Sequence, residues 1–451
     1  MRKVIIPLLF TLAGCSTTGG PFEVATRGYV AAPQAELPEL KVEPTRVAAV
    51  QRSNTSIAQD FLTLNFALES GTPLYQLTRF EGPISVRLDA DAPLTAKNDL
   101  SNLLNRLRNE AGLNIYATSS ADAKINIQMV TRAQIKRLVP NAACFVAPNA
   151  RSLADYAVKR RTSAGRWASM TNRQMMSIFL PSDASPKEVR DCLHEELAQA
   201  LGPVNDLYSL SDSVFNDDNI HSTLTSFDML VLRAQYDPEL SNGMSRAEVA
   251  ARLPSILARI NPNGNSVQAT PSAGISPRWN EAIQTALGAG TSDADRISAA
   301  QRAVYISTVE GFEDVRAGFS YFVLGRVTMG SSAEASKRAF MAADRAYAAL
   351  PGTSLHRAFV ATQLAAFTLA EGDTIGTINI VRPFMNIAKQ SGNAALLSTM
   401  MLLEAEALEM AGQVSQARSV RVDSLDFARY GFGSEKAVEA RLREIAALSP
   451  S

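Results

Sequence analysis

Residues 192–206 read "CLHEELAQALGPVND". On a helix, side chains four apart share a face, so Glu195 and Gln199 stand side by side, and Glu196 is turned about 100° from Glu195. Two ligands at that spacing, with a carboxylate between them, are the arrangement that holds a cation and takes a proton from its bound water. Zinc favours imidazole and thiolate there. Reading from His194 gives Ala198 as the second ligand, and that frame fails. Reading from Glu195 gives two oxygen donors, with Glu196 in the place of a general base. Oxygen donors suit calcium or magnesium better than zinc.

Other chemistry is sparse. No Gly-rich phosphate loop and no GxSxG occurs. Only His221 and His356 join His194 as imidazoles. His221, in "DDNIHS", is read as a solvated loop residue within reach of the site; His356 has no acid or nucleophile nearby in sequence. Lys plus Arg and Asp plus Glu balance at 44 each, so no global field attracts nucleic acid. The basic run "KRRTSAGR" (159–166) reads as a solvated hairpin.

The elements that position the site begin with its own helix. "SPKEVRDCLHEELAQALG" (185–202) has Ser185 as N-cap, Pro186 at its first position and Glu188 at capping-box spacing, and Gly202 followed by Pro203 ends it. Upstream, "PISVRLDA" (83–90), "LNIYAT" (113–118), "AKINIQMV" (123–130), "CFVAPN" (144–149) and "QMMSIFLP" (174–181) read as strands, and "TAKNDLSNLLNRLRNEAG" (95–112) as a helix. This order predicts an α+β domain over 51–260 with one mixed sheet. After a linker at 261–277, residues 278–451 turn into Ala-rich helices. Gly330, Gly372 and Gly412 end helices about forty residues apart, which suits an all-α helical-hairpin repeat domain. An irregular helical bundle is the other reading.

The first residues, "MRKVIIPLLFTLAGCSTTGG", join a basic start to a short apolar run and then "LAGC". This resembles a bacterial lipoprotein signal, which implies that residues 1–15 direct export and that Cys15 receives the lipid. Residues 16–50, rich in Pro and Ala, then read as a flexible tether. Ser16 implies the outer membrane on the same resemblance. In the oxidising periplasm that this implies, Cys144 and Cys192 are expected to be bridged; two free buried thiols are the alternative.

"EELAQALG" (195–202) aligns with the helix of zincins when shifted by one from His194. It is followed by "SDSVFND" (211–217), with Phe215 where a Met-turn would lie, and by "LTSFDMLVLRAQYDP" (224–238), with Asp228 and Tyr236. With "RF" (79–80) and "GM" (243–244), these motifs resemble an uncharacterised family of bacterial secreted domains that look like metzincins with altered ligands. The resemblance covers roughly 55–250 and implies a zincin-like fold with Glu195, Gln199, Asn205 and Asp206 as ligands and Glu196 as base. The helical part is weakly similar to tetratricopeptide repeats.

Three readings of the site stay open. The polar residues serve only the helix and the loop after it, or they hold a divalent cation (calcium, magnesium or zinc), or they form a hydrolase centre. The expected function is a membrane-anchored envelope scaffold that binds a protein or peptide through its helical repeats, with an inactive metalloprotease-like domain and no required cofactor. The alternative is a metal-dependent peptidase or cell-wall hydrolase acting through Glu196.

Overall fold

The computed structural model describes residues 50, 52–269, 274–288 and 290–450, with the backbone of residues 26–27. Cys15, the whole signal stretch and most of the 16–50 tether lie outside the described residues.

Five strands form one mixed sheet: β2 (Ile84–Leu88), β3 (Ile115–Ala117), β4 (Ile125–Val130), β5 (Cys144–Pro148) and β6 (Met176–Pro181). A two-residue strand, β1 (Thr26–Arg27), adds to the β5 edge, and the order is β1-β5-β6-β4-β2-β3. Strands β2, β3, β4 and β6 run parallel, while β5 runs antiparallel to β6. Every position of β5 and β6 is buried, which the apolar runs "CFVAP" and "MSIFLP" require of strands covered on both faces. Their alternation divides two cores. Cys144, Val146, Met176, Ile178 and Leu180 face the main core, and Phe145, Ala147 and Phe179 face a smaller one with Ile135 and Tyr156.

Around the sheet lie α1 (Asn54–Phe66), α2 (Leu94–Ala111), α3 (Arg132–Leu138), α4 (Leu153–Lys159), α5 (Pro186–Leu201), α6 (Ser226–Gln235) and α7 (Arg246–Ile260). Helix α5 packs on β5 and β6. The Ser185 hydroxyl caps it by accepting from the Glu188 N–H. The Glu188 carboxylate does not close a capping box; it reaches instead to the Arg132 guanidinium at 2.5 Å. The stretch 159–166 is not a hairpin. It leaves α4 through short 3-10 turns, and Trp167 beyond it is buried.

The region after the linker is all-helical among the described residues: α8 (Pro277–Leu287), α9 (Asp293–Val309), α10 (Val315–Thr328), α11 (Ala333–Ala348), α12 (Ser354–Ala370), α13 (Thr374–Gln390), α14 (Ala394–Met410), α15 (Val414–Asp423), α16 (Leu425–Phe432) and α17 (Glu435–Ala446). Successive helices pack against one another, and α12 also packs on α14 and α14 on α16. Gly352, Gly372, Gly392 and Gly412 recur at intervals of twenty residues, all with φ between 68° and 83°. Side chains with a Cβ rarely adopt that conformation, so each glycine lets the chain turn back after one helix. The forty-residue hairpin is thus two such units.

The two parts meet along a polar and aromatic seam. Tyr208 and Ile220 of the α+β part sit in the core of the helical part, and Tyr208 meets Trp279 edge-on at 5.1 Å. Arg190 on α5 donates to the Gly392 carbonyl at 2.6 Å, and the Tyr430 hydroxyl donates to Asp99 at 2.8 Å.

Cys144 of β5 and Cys192 of α5 form a disulfide across a sequence separation of 48. Closing a loop of that length restricts the unfolded chain by about 4 kcal/mol. Replacing both cysteines by alanine is therefore expected to lower the unfolding free energy by about that amount in a urea titration. A loss below about 1 kcal/mol would show that the bridge restrains nothing in the unfolded chain.

Candidate functional site

Helix α5 is buried along most of its length, and its polar groups are held individually. The His194 Nδ1 accepts from the Leu224 N–H at 3.1 Å. That bond turns the ring toward the backbone of the loop before α6. At the C-terminal end, Arg173 donates to the carbonyls of Gln199 at 2.5 Å, Ala200 at 2.8 Å and Gly202. These are carbonyls that a helix end leaves without internal partners. Burial lowers the Arg173 pKa to about 10, so the group stays charged and complements the negative end of the helix dipole. The Tyr236 hydroxyl donates to the Leu201 carbonyl at 2.8 Å. A Cβ on Gly202 would meet the Gln235 Cγ at 2.9 Å, so any other residue there would force the buried Gln235 side chain of α6 to shift.

Beyond α5, the loop 207–225 is organised by Asp228, at N3 of α6. Its carboxylate accepts from the Ser213 hydroxyl at 2.5 Å, the Val214 N–H at 3.1 Å and the Thr225 N–H at 2.7 Å. Burial raises its pKa to about 6 against the lowering effect of these bonds. Phe215 is fully buried beneath the loop, and its carbonyl accepts from the Leu207 N–H at 2.9 Å. The motif residues Asp228, Phe215 and Tyr236 therefore support the backbone that follows α5.

That backbone brings three carboxylates together. Asp206 lies just past α5, Asp217 at the end of "SVFND", and Glu69 in the turn after α1; one oxygen of each lies within 4.8 Å of the others. Gln199 is completely buried, and its Nε2 is 3.5 Å from the Asp206 Oδ2. Glu195 adds negative charge beside Glu69 and Asp206. Burial first, then repulsion from Asp217, raises both Glu69 and Asp206 well above the ordinary carboxylate range.

Of the residues expected from sequence, Gln199 and Asp206 stand side by side, while Glu195 acts on Asp206 and Glu69 through its charge and is not one of the three clustered carboxylates. Asn205 is held by backbone: its Nδ2 donates to the Thr63 carbonyl at 3.0 Å and its Oδ1 accepts from the Asp206 N–H at 3.1 Å. Glu196 is completely buried and is not among the three converging carboxylates. Sequence reasoning missed Glu69 and Asp217. Asp217 lay inside a quoted motif, whereas Glu69, 137 positions before Asp206 in the chain, carried no local signal.

Among the described residues no histidine belongs to this cluster. His221 is not a solvated loop residue. It packs against His356 of α12 at 5.8 Å, and the His356 Nε2 lies 3.2 Å from the Asp218 Oδ2. The all-oxygen donor set does not fit zinc and fits a hard cation.

Burial, and then the neighbouring His356, lowers the His221 pKa to about 4. The unfolded ring titrates near 6.5, so acid favours the unfolded chain. The contribution of this group is fully present above pH about 6.5 and is lost as pH falls toward 4. The His221 Hε1 resonance is expected to titrate with a midpoint near 4. A midpoint near 6.5 would mean that the ring is hydrated.

Residues 54–255 match the model of a family described as "Protein of unknown function (DUF2927)". The α+β part is thus similar to an uncharacterised domain. No curated protein matches the sequence.

Proposed function

We propose that this chain is a non-catalytic binding scaffold of the bacterial cell envelope, tethered through lipid on Cys15, with a zincin-like domain that has lost its zinc chemistry. The observation that carries this reading is the use of the histidines. His194 accepts a backbone N–H, while His221 and His356 are packed together in the seam. The α5 ligand positions hold Glu195 and Gln199 instead. Without imidazoles, bound water loses the strong acidification that makes zinc hydrolases work at neutral pH. The Cys144–Cys192 bridge supports export to an oxidising compartment.

The partner surface proposed for the helical part is its outer row. Helices α10, α12 and α14 are buried around much of their circumference, whereas α9, α11, α13 and α15 expose one side. That side carries Tyr305, Val309, Met341, Ile375, Val414 and Val422. The α+β part meets the inner row through Tyr208 on Phe319 of α10 and Asp218 on His356 of α12, so a protein or peptide partner would bind the outer one.

Two measurements test this reading. Purified protein supplied with zinc is expected to leave casein and peptidoglycan intact; hydrolysis that Glu196→Gln abolishes would establish the peptidase alternative. Cys15→Ala is expected to move the protein from the membrane fraction to the soluble periplasm. Retention in the membrane would remove the lipid tether from the proposal.

A further inference from the structure

The convergence of Glu69, Asp206 and Asp217 concentrates three acids at one place beneath the end of α5. They come from three separate segments, the turn after α1, the turn after α5 and the loop held by Asp228, yet their oxygens approach within 4.8 Å. Both oxygens of Glu69 and the Oδ1 of Asp206 are buried, and the only hydrogen bond open to them is one between these two acids. Ionised carboxylates crowded this way repel one another and lose hydration. Such a group persists when a cation supplies the missing charge.

A second observation points to the same place. Gln199 is completely buried, and its Oε1 has no partner. Its Nε2 stands 3.5 Å from the Asp206 Oδ2, a separation at the limit of hydrogen bonding. The terminal amide therefore faces the carboxylates, and a half-turn about its last bond presents Oε1 to them as a fourth oxygen. Arg173 fixes the Gln199 backbone by its carbonyl, so the side chain projects from a rigid helix end.

We propose that Glu69, Asp206, Asp217 and Gln199 bind one calcium ion, which ties the turn after α1 and the 211–220 loop to the end of α5. Oxygens at about 2.4 Å from a calcium ion lie about 3.4 Å apart when adjacent and about 4.8 Å apart when opposite, so three oxygens within 4.8 Å of one another fit around one such ion. Magnesium demands a near-ideal octahedron at about 2.1 Å and keeps several waters, which suits a buried site of protein oxygens less well. The proposal stands independently of the scaffold reading, since its residues all belong to the α+β part and its test reads the ion alone.

The test uses the full periplasmic chain after treatment with EDTA. Millimolar calcium is expected to raise its melting temperature by about 3 °C, more than millimolar magnesium does. Calorimetric titration is expected to give one calcium per chain. Asp206→Asn and Asp217→Asn are expected to fold and to lose the calcium shift. Should either fail to fold, Glu69→Gln serves, because it lies on a turn outside the helix and removes charge from a crowded group. No calcium-dependent shift in the wild type, or a shift undiminished in the folded variants, would overturn the proposal.

Discussion

Everything near the site depends on how α5 is held. A helix buried on nearly every side must satisfy its polar groups within the protein, because water cannot reach them. Arg173 closes its C-terminal carbonyls, Tyr236 takes the Leu201 carbonyl, and the disulfide fixes Cys192 to β5. Arg190 then extends the same helix to the helical part through Gly392. These contacts fix α5 in position along the sheet. Glu195 and Gln199 are placed by the fold before any ligand arrives.

The same constraint separates two kinds of buried acid. Asp228 is surrounded by donors, from Ser213, Val214 and Thr225, and its work is to shape a loop. Glu69 and Asp206 are surrounded mainly by other carboxylates. An acid supplied with donors needs nothing further, while an acid facing acids needs a proton or a cation. Composition alone does not distinguish them, since all are acids beside turns. Their neighbours do.

Much of the architecture was legible from periodicity. The apolar runs read as strands at 144–149 and 174–181 are the strands at 144–148 and 176–181, and Ser185, Pro186 and Gly202 bound α5 where the capping residues stand. The α+β sheet and the following all-helical region were readable for the same reason: both are repeated local patterns. The site was legible only in part. Glu195, Gln199 and Asp206 share a helix and its exit, so spacing brought them together. The bond that holds Asn205 was not legible, because its partner, the Thr63 carbonyl, belongs to a distant helix. Glu69 was invisible for the same physical reason, and nothing local marks Arg173, whose three carbonyls lie at the end of α5.

The seam between the two parts has a further consequence. His221 and His356 meet there, one from each part, and His356 is completely buried against Asp218 and Tyr347. Polar groups in such a position hold two surfaces in register more than they add stability, since each partner alone leaves a buried group unsatisfied. Tyr208 and Ile220 add apolar area to the same junction. The loop that carries Asp217 also carries Asp218, so the residue facing the carboxylate cluster and the residue facing the helical part are adjacent in sequence. A change in the order of this loop would therefore be felt on both sides at once: by the group of acids beneath α5 and by the helix α12 that carries His356. The cluster and the seam are two faces of one loop, and the rigidity of either depends on the other.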